Sequence, residues 1–187
     1  MRVRYLAYGS NLLPRRLRER VPSARVVGSV RLPGLEVRFH KRGRDGSGKC
    51  DLVRSRHRTT ALGVVYDLLV QERPSLDRAE GLGNGYELVD TGLRGFGRVF
   101  YYKASSNAVD DELRPFDWYL ALVMAGALSH GFPAAYVARL RRVETVPDPD
   151  TKRHARARRL LTGVQGLVQS AAPSLVQVGV SSRNSRR

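Results

Sequence analysis

The amino-acid sequence predicts an α+β fold: a mixed sheet or small barrel of about five to six strands, with helices packed outside. Two observations support this prediction. Of the 187 residues, 42% are hydrophobic, which is enough for a core in one domain. The predicted strands and helices do not alternate regularly, which argues against a doubly wound parallel sheet. Because the composition changes after PDPD, we expect one domain over 1–150 and a basic extension over 151–187, partly helical or disordered.

The first part of the chain is expected to form strands and one short helix. A short apolar run predicts a strand at 3–8, and Pro14 suits the first turn of the helix behind it, since its missing N–H costs little there. Alternating apolar residues predict strands at 24–32 and 35–42, separated by a Pro-Gly turn. Three glycines in Gly43–Asp51 predict a flexible loop.

The middle of the chain combines three strands with a short helix. β-Branched residues predict a strand at 59–69. The stretch RPSLDRAEGLG predicts a helix with Ser75 as a candidate N-cap and Gly81 at its end. Strands at 86–93 and 97–104 follow, joined by a glycine-rich turn.

The C-terminal part is predicted to be helical. A long helix over 111–131 has Pro115 in its first turn and ends at Gly131. Its apolar face is formed by four residues: Trp118, Leu122, Ala125 and Leu128. A second helix begins at Pro133, and the segment KRHARARRLLTGVQGLV can form a basic helix.

Composition excludes several classes of protein. No apolar run approaches the roughly 20 residues that span a bilayer, and the first residues lack a signal-peptide pattern. The single cysteine, Cys50, excludes an internal disulfide and any site with several cysteine ligands. The four histidines show no metal-ligand spacing, and we predict no metal site. We therefore expect a cytoplasmic protein without a membrane partner.

The net charge of +16 is unevenly distributed. Eight Lys and Arg residues and no acidic residue lie from Lys152 onward, so this short segment contributes half of the excess. Such a tail can bind polyanions, including nucleic acid, without specificity. The alternative, which we favour, is a solvated chain end.

The stretch YGSN, Tyr8 to Asn11, lies between the first strand and the first helix. Backbone N–H groups at a helix start are unpaired and carry partial positive charge. Gly9 and Ser10 allow a sharp turn and close approach of a ligand, so the loop could hold a carboxylate or a developing oxyanion. The alternative is a plain turn capped by Ser10 or Asn11.

A second candidate feature is the glutamate at the end of the short helix. Glu80 precedes a glycine-rich segment, and a carboxylate is electrostatically unfavoured beside the partial negative charge of a helix C-terminus. It is a candidate general base, or an exposed surface residue. Tyr8, Tyr86 and Tyr119 each lie beside one of these elements, where a tyrosine belongs to the core, its rim or a pocket wall.

Three stretches in series resemble the γ-glutamylcyclotransferase family over roughly one domain, about residues 3–150. YLAYGSNL resembles its N-terminal signature, SLDRAEG the segment with its acid/base glutamate, and WYLALVMAGALSHGFPAAYVARL its C-terminal helices. Asn11 favours the Tyr-Gly-Ser-Asn branch over the glutathione-degrading branch, which has leucine there. The segment between Glu80 and Tyr86 is about one residue shorter than the common pattern, as loop lengths vary.

The resemblance implies conversion of a γ-glutamyl amino acid or γ-glutamyl amide to 5-oxoproline and a free amine by intramolecular aminolysis, without a metal or organic cofactor. It implies Glu80 as the catalytic acid/base and assigns substrate binding to Tyr8, Gly9, Ser10, Asn11, Leu12, Tyr86 and Tyr119. The released amine, a γ-glutamyl group on a larger metabolite and the oligomeric state stay open. A rival hypothesis is a non-catalytic protein that binds polyanions through its basic tail.

Overall fold

The computed structural model describes residues 1–162, whose strands form two sheets. The main sheet contains β1 (Arg2–Ala7), β2 (Arg25–Pro33), β5 (Thr60–Leu69), β6 (Tyr86–Leu93) and β7 (Gly97–Ala104). The second sheet is a hairpin of β3 (Leu35–Arg42) and β4 (Gly48–Arg54). The predicted α+β class is confirmed, and the main sheet is open rather than closed into a barrel.

The strand order β2-β5-β1-β7-β6 decides which loops meet. β1 runs antiparallel to β5 and parallel to β7, so β1 and β7 end at the same edge of the sheet. β6 is antiparallel to β7, with Tyr86 paired to Ala104, and therefore begins at that edge. This topology brings the loop after β1 close to the start of β6, which directly follows the helix that ends at Glu80.

The predicted flexible loop at Gly43–Asp51 is partly wrong. Gly48–Arg54 forms β4 and pairs with β3, so the described chain has seven strands. Cys50 and Leu52 are buried on this strand, with 2% and 3% exposure. The glycine content indicated a loop, but β3 supplies hydrogen-bond partners and a buried face that no local pattern reveals.

Five helices pack against the sheets: α1 (Pro14–Arg18), α2 (Arg73–Glu80), α3 (Asp117–Ser129), α4 (Ala134–Arg141) and α5 (Thr151–Leu161). α2 starts before Ser75, so the predicted N-cap at Ser75 is wrong, whereas its end at a left-handed Gly81 is confirmed. Pro115 precedes α3 instead of lying in its first turn. Within residues 1–162, no helix is long and apolar enough to cross a bilayer.

α3 is buried on more sides than its predicted apolar face. The turn Ser10–Leu12, α4 and α5 all pack against it. α5 belongs to the predicted basic extension, yet it buries Ala157 and Leu160, and the Asp150 side chain caps its first turn. The domain boundary near residue 150 stays a prediction, and the rest of the extension lies outside the described residues.

Candidate active site

A cavity opens where the loop after β1 meets the end of α2, β4 and α3. Its narrow inner part is lined by Tyr5, Tyr8, Gly9, Ser10, Asn11, Cys50, Glu80, Tyr86, Tyr102 and Tyr119. Its mouth, about 190 Å³, adds basic side chains: Arg16, Arg20, Lys41, Arg44 and Lys49. A larger concavity of about 640 Å³ lies elsewhere, but none of its lining residues within 1–162 is acidic. The smaller cavity is the candidate for acid/base chemistry because Glu80 and the loop after β1 meet in it.

The loop after β1 forms one wall of the cavity. Ser10–Leu12 make a short 3₁₀ turn whose hydrogen bonds use the N–H groups of Leu12 and Leu13. Within residues 1–162, the Ser10 and Asn11 backbone N–H groups donate to no protein acceptor. Two donors on buried residues of the cavity wall thus have no partner among the described residues, which is one requirement of an anion or oxyanion site.

Gly9 is required here by close packing. A Cβ at position 9 would lie 2.9 Å from the Cβ and 3.2 Å from the Sγ of Cys50. Any side chain would push the loop away from β4. Cys50 itself is buried, and burial raises the pKa of its thiol to about 12, so it is not a reactive thiolate.

Glu80 lies beside this loop at the end of α2. Its Oε1 accepts a hydrogen bond from Asn11 Nδ2 at 2.9 Å and forms an ion pair with Arg20. Arg20 also donates to Asn11 Oδ1 at 2.9 Å, which closes a ring of three side chains. Glu80 Oε2 accepts no hydrogen bond from the described residues, and the side chain is 17% exposed. One carboxylate oxygen is fixed and the other is available at the cavity.

The tyrosines that were predicted for the site line it, with their hydroxyls bonded to the protein. Tyr8 donates to the carbonyl of Tyr102, and Tyr86 donates to the carbonyl of Cys50 at 2.5 Å. Tyr119 accepts from the Cys50 N–H at 3.2 Å. Burial raises the pKa of all three well above the ordinary value. They stay protonated; Tyr86 and Tyr119 hold β4 at the cavity wall, and Tyr8 is held by β7.

Seven of the eight predicted site residues meet in one place, and Leu12 does not. Leu12 is fully buried and absent from the cavity wall, and its carbonyl accepts a hydrogen bond from Tyr66 at 2.8 Å. Sequence reasoning missed Tyr5, Tyr102 and the basic residues of the mouth. Tyr5 accepts a hydrogen bond from Asn11 at 3.0 Å and so helps to orient the amide that holds Glu80.

The comparisons with known proteins address the fold. No family model and no curated protein matches the chain. A solved γ-glutamyl cyclotransferase superimposes with a TM-score of 0.72 at 22% identity, covering 85% of this chain and 99% of that one. The chain has the γ-glutamyl cyclotransferase fold.

Two other solved structures with TM-scores above 0.6 agree with this assignment. An uncharacterized protein from Homo sapiens matches with a TM-score of 0.67 at 24% identity, over 78% of this chain and 89% of that one. YkqA from Bacillus subtilis matches with a TM-score of 0.63 at 20% identity, over 78% of this chain and 56% of that one. Because a shared fold does not fix an activity, what this γ-glutamyl cyclotransferase fold does here must be argued from its own side chains.

Proposed function

We propose that the protein converts a γ-glutamyl amino acid or γ-glutamyl amide to 5-oxoproline and a free amine. The observation that carries this proposal is the arrangement at Glu80. One oxygen is held by Asn11 and Arg20, and the other has no partner among residues 1–162. The same cavity is lined by Ser10 and Asn11, whose N–H groups have no partner among those residues either. A base facing an oxyanion site is what an intramolecular acyl transfer needs.

In the proposed reaction, the neutral α-amine of the glutamyl group attacks its own γ-carbonyl carbon, and a C–N bond forms. Glu80 takes a proton from the attacking nitrogen. The bond from the γ-carbon to the leaving nitrogen then breaks, and Glu80 returns the proton to that nitrogen. The products are 5-oxoproline and the free amine, and Glu80 ends as the carboxylate with which it began.

The loop and the tyrosines have separate roles in this proposal. The N–H groups of Ser10 and Asn11 stabilise the oxygen that becomes negative in the tetrahedral intermediate. Tyr8, Tyr86 and Tyr119 provide rigid walls that hold the glutamyl chain curled, which lowers the entropic part of the barrier. The absence of a cofactor, the cytoplasmic location and the polyanion-binding alternative stay predictions.

The test is release of 5-oxoproline from a panel of γ-glutamyl amino acids and γ-glutamyl amines. We expect turnover by the wild-type protein and a loss of at least ~100-fold in Glu80→Gln, the size typical of a removed general base. Glu87→Gln is the matched control, because Glu87 is an exposed glutamate on β6. Unfolding curves check that each variant folds. Full activity in Glu80→Gln, or no release from any substrate, would overturn the proposal.

A further inference from the structure

Lys41 lies at the mouth of the cavity with its side-chain stem buried and its ammonium open to the cavity. The residue is 4% exposed and lines the mouth together with Glu80 and Tyr86. Among residues 1–162, its ammonium has neither a hydrogen-bond acceptor nor an ion-pair partner. Its nearest favourable contact is the ring of Tyr86, whose centroid lies 4.4 Å from Nζ.

Three neighbouring cations of the mouth differ from Lys41 in this respect. Arg20 is paired with Glu80, and Lys49 with Asp45 at 2.8 Å. Arg16 donates to Ser10 Oγ at 3.0 Å. Arg44, the fifth cation of the mouth, also has no partner among residues 1–162, but it is exposed. Lys41 differs from it because its buried stem fixes where the ammonium lies.

Gly85 and Arg42 are the neighbours that bear on the position of this side chain. The φ of Gly85, +97°, favours glycine there, and a Cβ would lie 2.9 Å from the Ala108 Cβ as well as 3.0 Å from Lys41 Cε. The next residue on β3, Arg42, is exposed and pairs with Asp110 at 3.0 Å. Lys41 thus lines the cavity and Arg42 faces solvent, after a register shift between Arg38 and Lys41 that interrupts the regular alternation of β3.

A lysine ammonium carries three hydrogen-bond donors, and those of Lys41 are available to a ligand at the mouth. Burial lowers the pKa of Lys41, and the charge of Glu80 opposes that shift. A ligand with an acidic group at the mouth would supply the missing partner and form a charge-assisted hydrogen bond. The other side chains of the mouth favour this, because five cations face two acids, Asp45 and Glu80.

We infer that Lys41 binds an acidic group on the leaving amine and thereby sets specificity for it. The inference rests on the proposed function, which places the γ-carbonyl of the substrate beside Ser10 and Asn11 in the narrow inner part, whose volume is about 20 Å³. The rest of the substrate, including its leaving group, then occupies the mouth, where Lys41 lies. The preferred substrates are γ-glutamyl compounds whose amine carries a carboxylate, and neutral γ-glutamyl amines are poor.

The test uses two ligands that cannot cyclise. N-Glutarylalanine lacks the α-amine that acts as nucleophile, and N-glutarylalanine amide also lacks the carboxylate of the leaving part. Calorimetric titration measures their affinities for the wild type, Lys41→Met and Lys41→Arg. The control is Arg42→Met, which removes the neighbouring positive charge on the outer face of β3.

We expect the wild type and Arg42→Met to bind the acid at least about tenfold more tightly than the amide, the size of one hydrogen bond to a charged group. Lys41→Met should lose this preference while its affinity for the amide is unchanged, which also shows that it is folded. Lys41→Arg should keep a preference for the acid. If Lys41→Met does not fold, the affinities of the wild type and of Lys41→Arg for the acid and the amide decide whether the inference holds.

Equal affinities of the wild type for both analogues, an undiminished preference in Lys41→Met, or no binding of either analogue would overturn the inference. These outcomes are distinct from failure of the proposed function. That failure appears as missing 5-oxoproline release, whereas binding of the two analogues does not depend on catalysis.

Discussion

Two carboxylate–arginine clusters in this molecule contain similar groups and leave their carboxylates in different states. Glu80 receives Arg20 and Asn11 on one oxygen, and its other oxygen is unbonded among the described residues. Asp148 accepts from Arg153 on both oxygens, and each oxygen has a second donor: the Trp118 indole at 2.6 Å or the Asp150 N–H at 2.8 Å. Asp148 has no oxygen left for another proton donor, and Glu80 does.

The surroundings explain the difference. Asp148 joins Trp118 on α3 to Arg153 on α5, and its side chain is fully shielded from solvent. Glu80 lines a cavity and is 17% exposed. A carboxylate paired with a guanidinium is thus a structural clamp where all its lone pairs accept hydrogen bonds. It is a candidate reactive group where one of its oxygens faces a cavity without a partner.

The largest expected difference between the Asp148 and Glu80 clusters concerns the free energy of unfolding. Asp148→Asn removes the charge that Arg153 contacts, and we expect the free energy of unfolding to fall by about 2 kcal/mol. Urea denaturation followed by circular dichroism measures it. The rate of 5-oxoproline release per folded molecule should stay at the wild-type level, because Asp148 does not line the cavity.

Glu144→Gln is the matched control for Asp148. Glu144 pairs with Arg114 at 3.0 Å but is 79% exposed, and such surface pairs contribute little. Its loss should change stability by less than about 1 kcal/mol. Equal losses in Asp148→Asn and Glu144→Gln would contradict the assignment of Asp148 as a structural clamp.

The second effect concerns Arg20, which we regard as a positioning residue for Glu80. Arg20→Gln should lower kcat/KM for 5-oxoproline release about tenfold, since the carboxylate loses one charged hydrogen bond that fixes its direction. The control is Arg15→Gln, on the exposed side of α1. In a Glu80→Gln background, Arg20→Gln should cost little further activity. Additive losses would show that Arg20 acts independently of Glu80.

The contrast between Glu80 and Arg20 also shows what the sequence could predict. The fold class and the positions of the YGSN loop and Glu80 follow from local signals: short apolar strands, a proline at a helix start and a glycine at a helix end. Those signals leave YGSN as a capped turn or an anion site and Glu80 as a base or a surface residue, and only the family resemblance joins the two in one site. The role of Glu80 stays a prediction until activity is measured.

Arg20 and Lys41 carry no such signal. Arg20 meets Glu80 across sixty positions of sequence, and nothing near either residue indicates the pair. Lys41 is a lysine in a strand, a type that is rarely buried. The prediction of a loop at Gly43–Asp51 failed for the same reason, because pairing with β3 is a long-range contact. Leu12 was predicted to bind substrate because it belongs to the motif, but it packs in the core and does not line the cavity.

The smallest effect is the acid dependence of the same clamp. Hydrogen bonds from Arg153 lower the pKa of Asp148 from 3.8 to about 2. A carboxyl group with a lowered pKa in the folded state contributes stability above its unfolded pKa and loses that contribution as pH falls through the folded value. The stability gap between the wild type and Asp148→Asn should therefore narrow as pH falls from about 4 to about 2.

Unfolding free energies at several pH values between neutrality and that range would measure this narrowing. Glu144→Gln serves again as the control, and its gap to the wild type should stay nearly constant, because its exposed pair contributes little at any pH. Parallel curves for the wild type and Asp148→Asn would mean that Asp148 gains nothing from Arg153 as a charged group. The Asp148 cluster would then be held by packing of α5 on α3 alone, and the contrast with Glu80 would no longer rest on how each carboxylate is bonded.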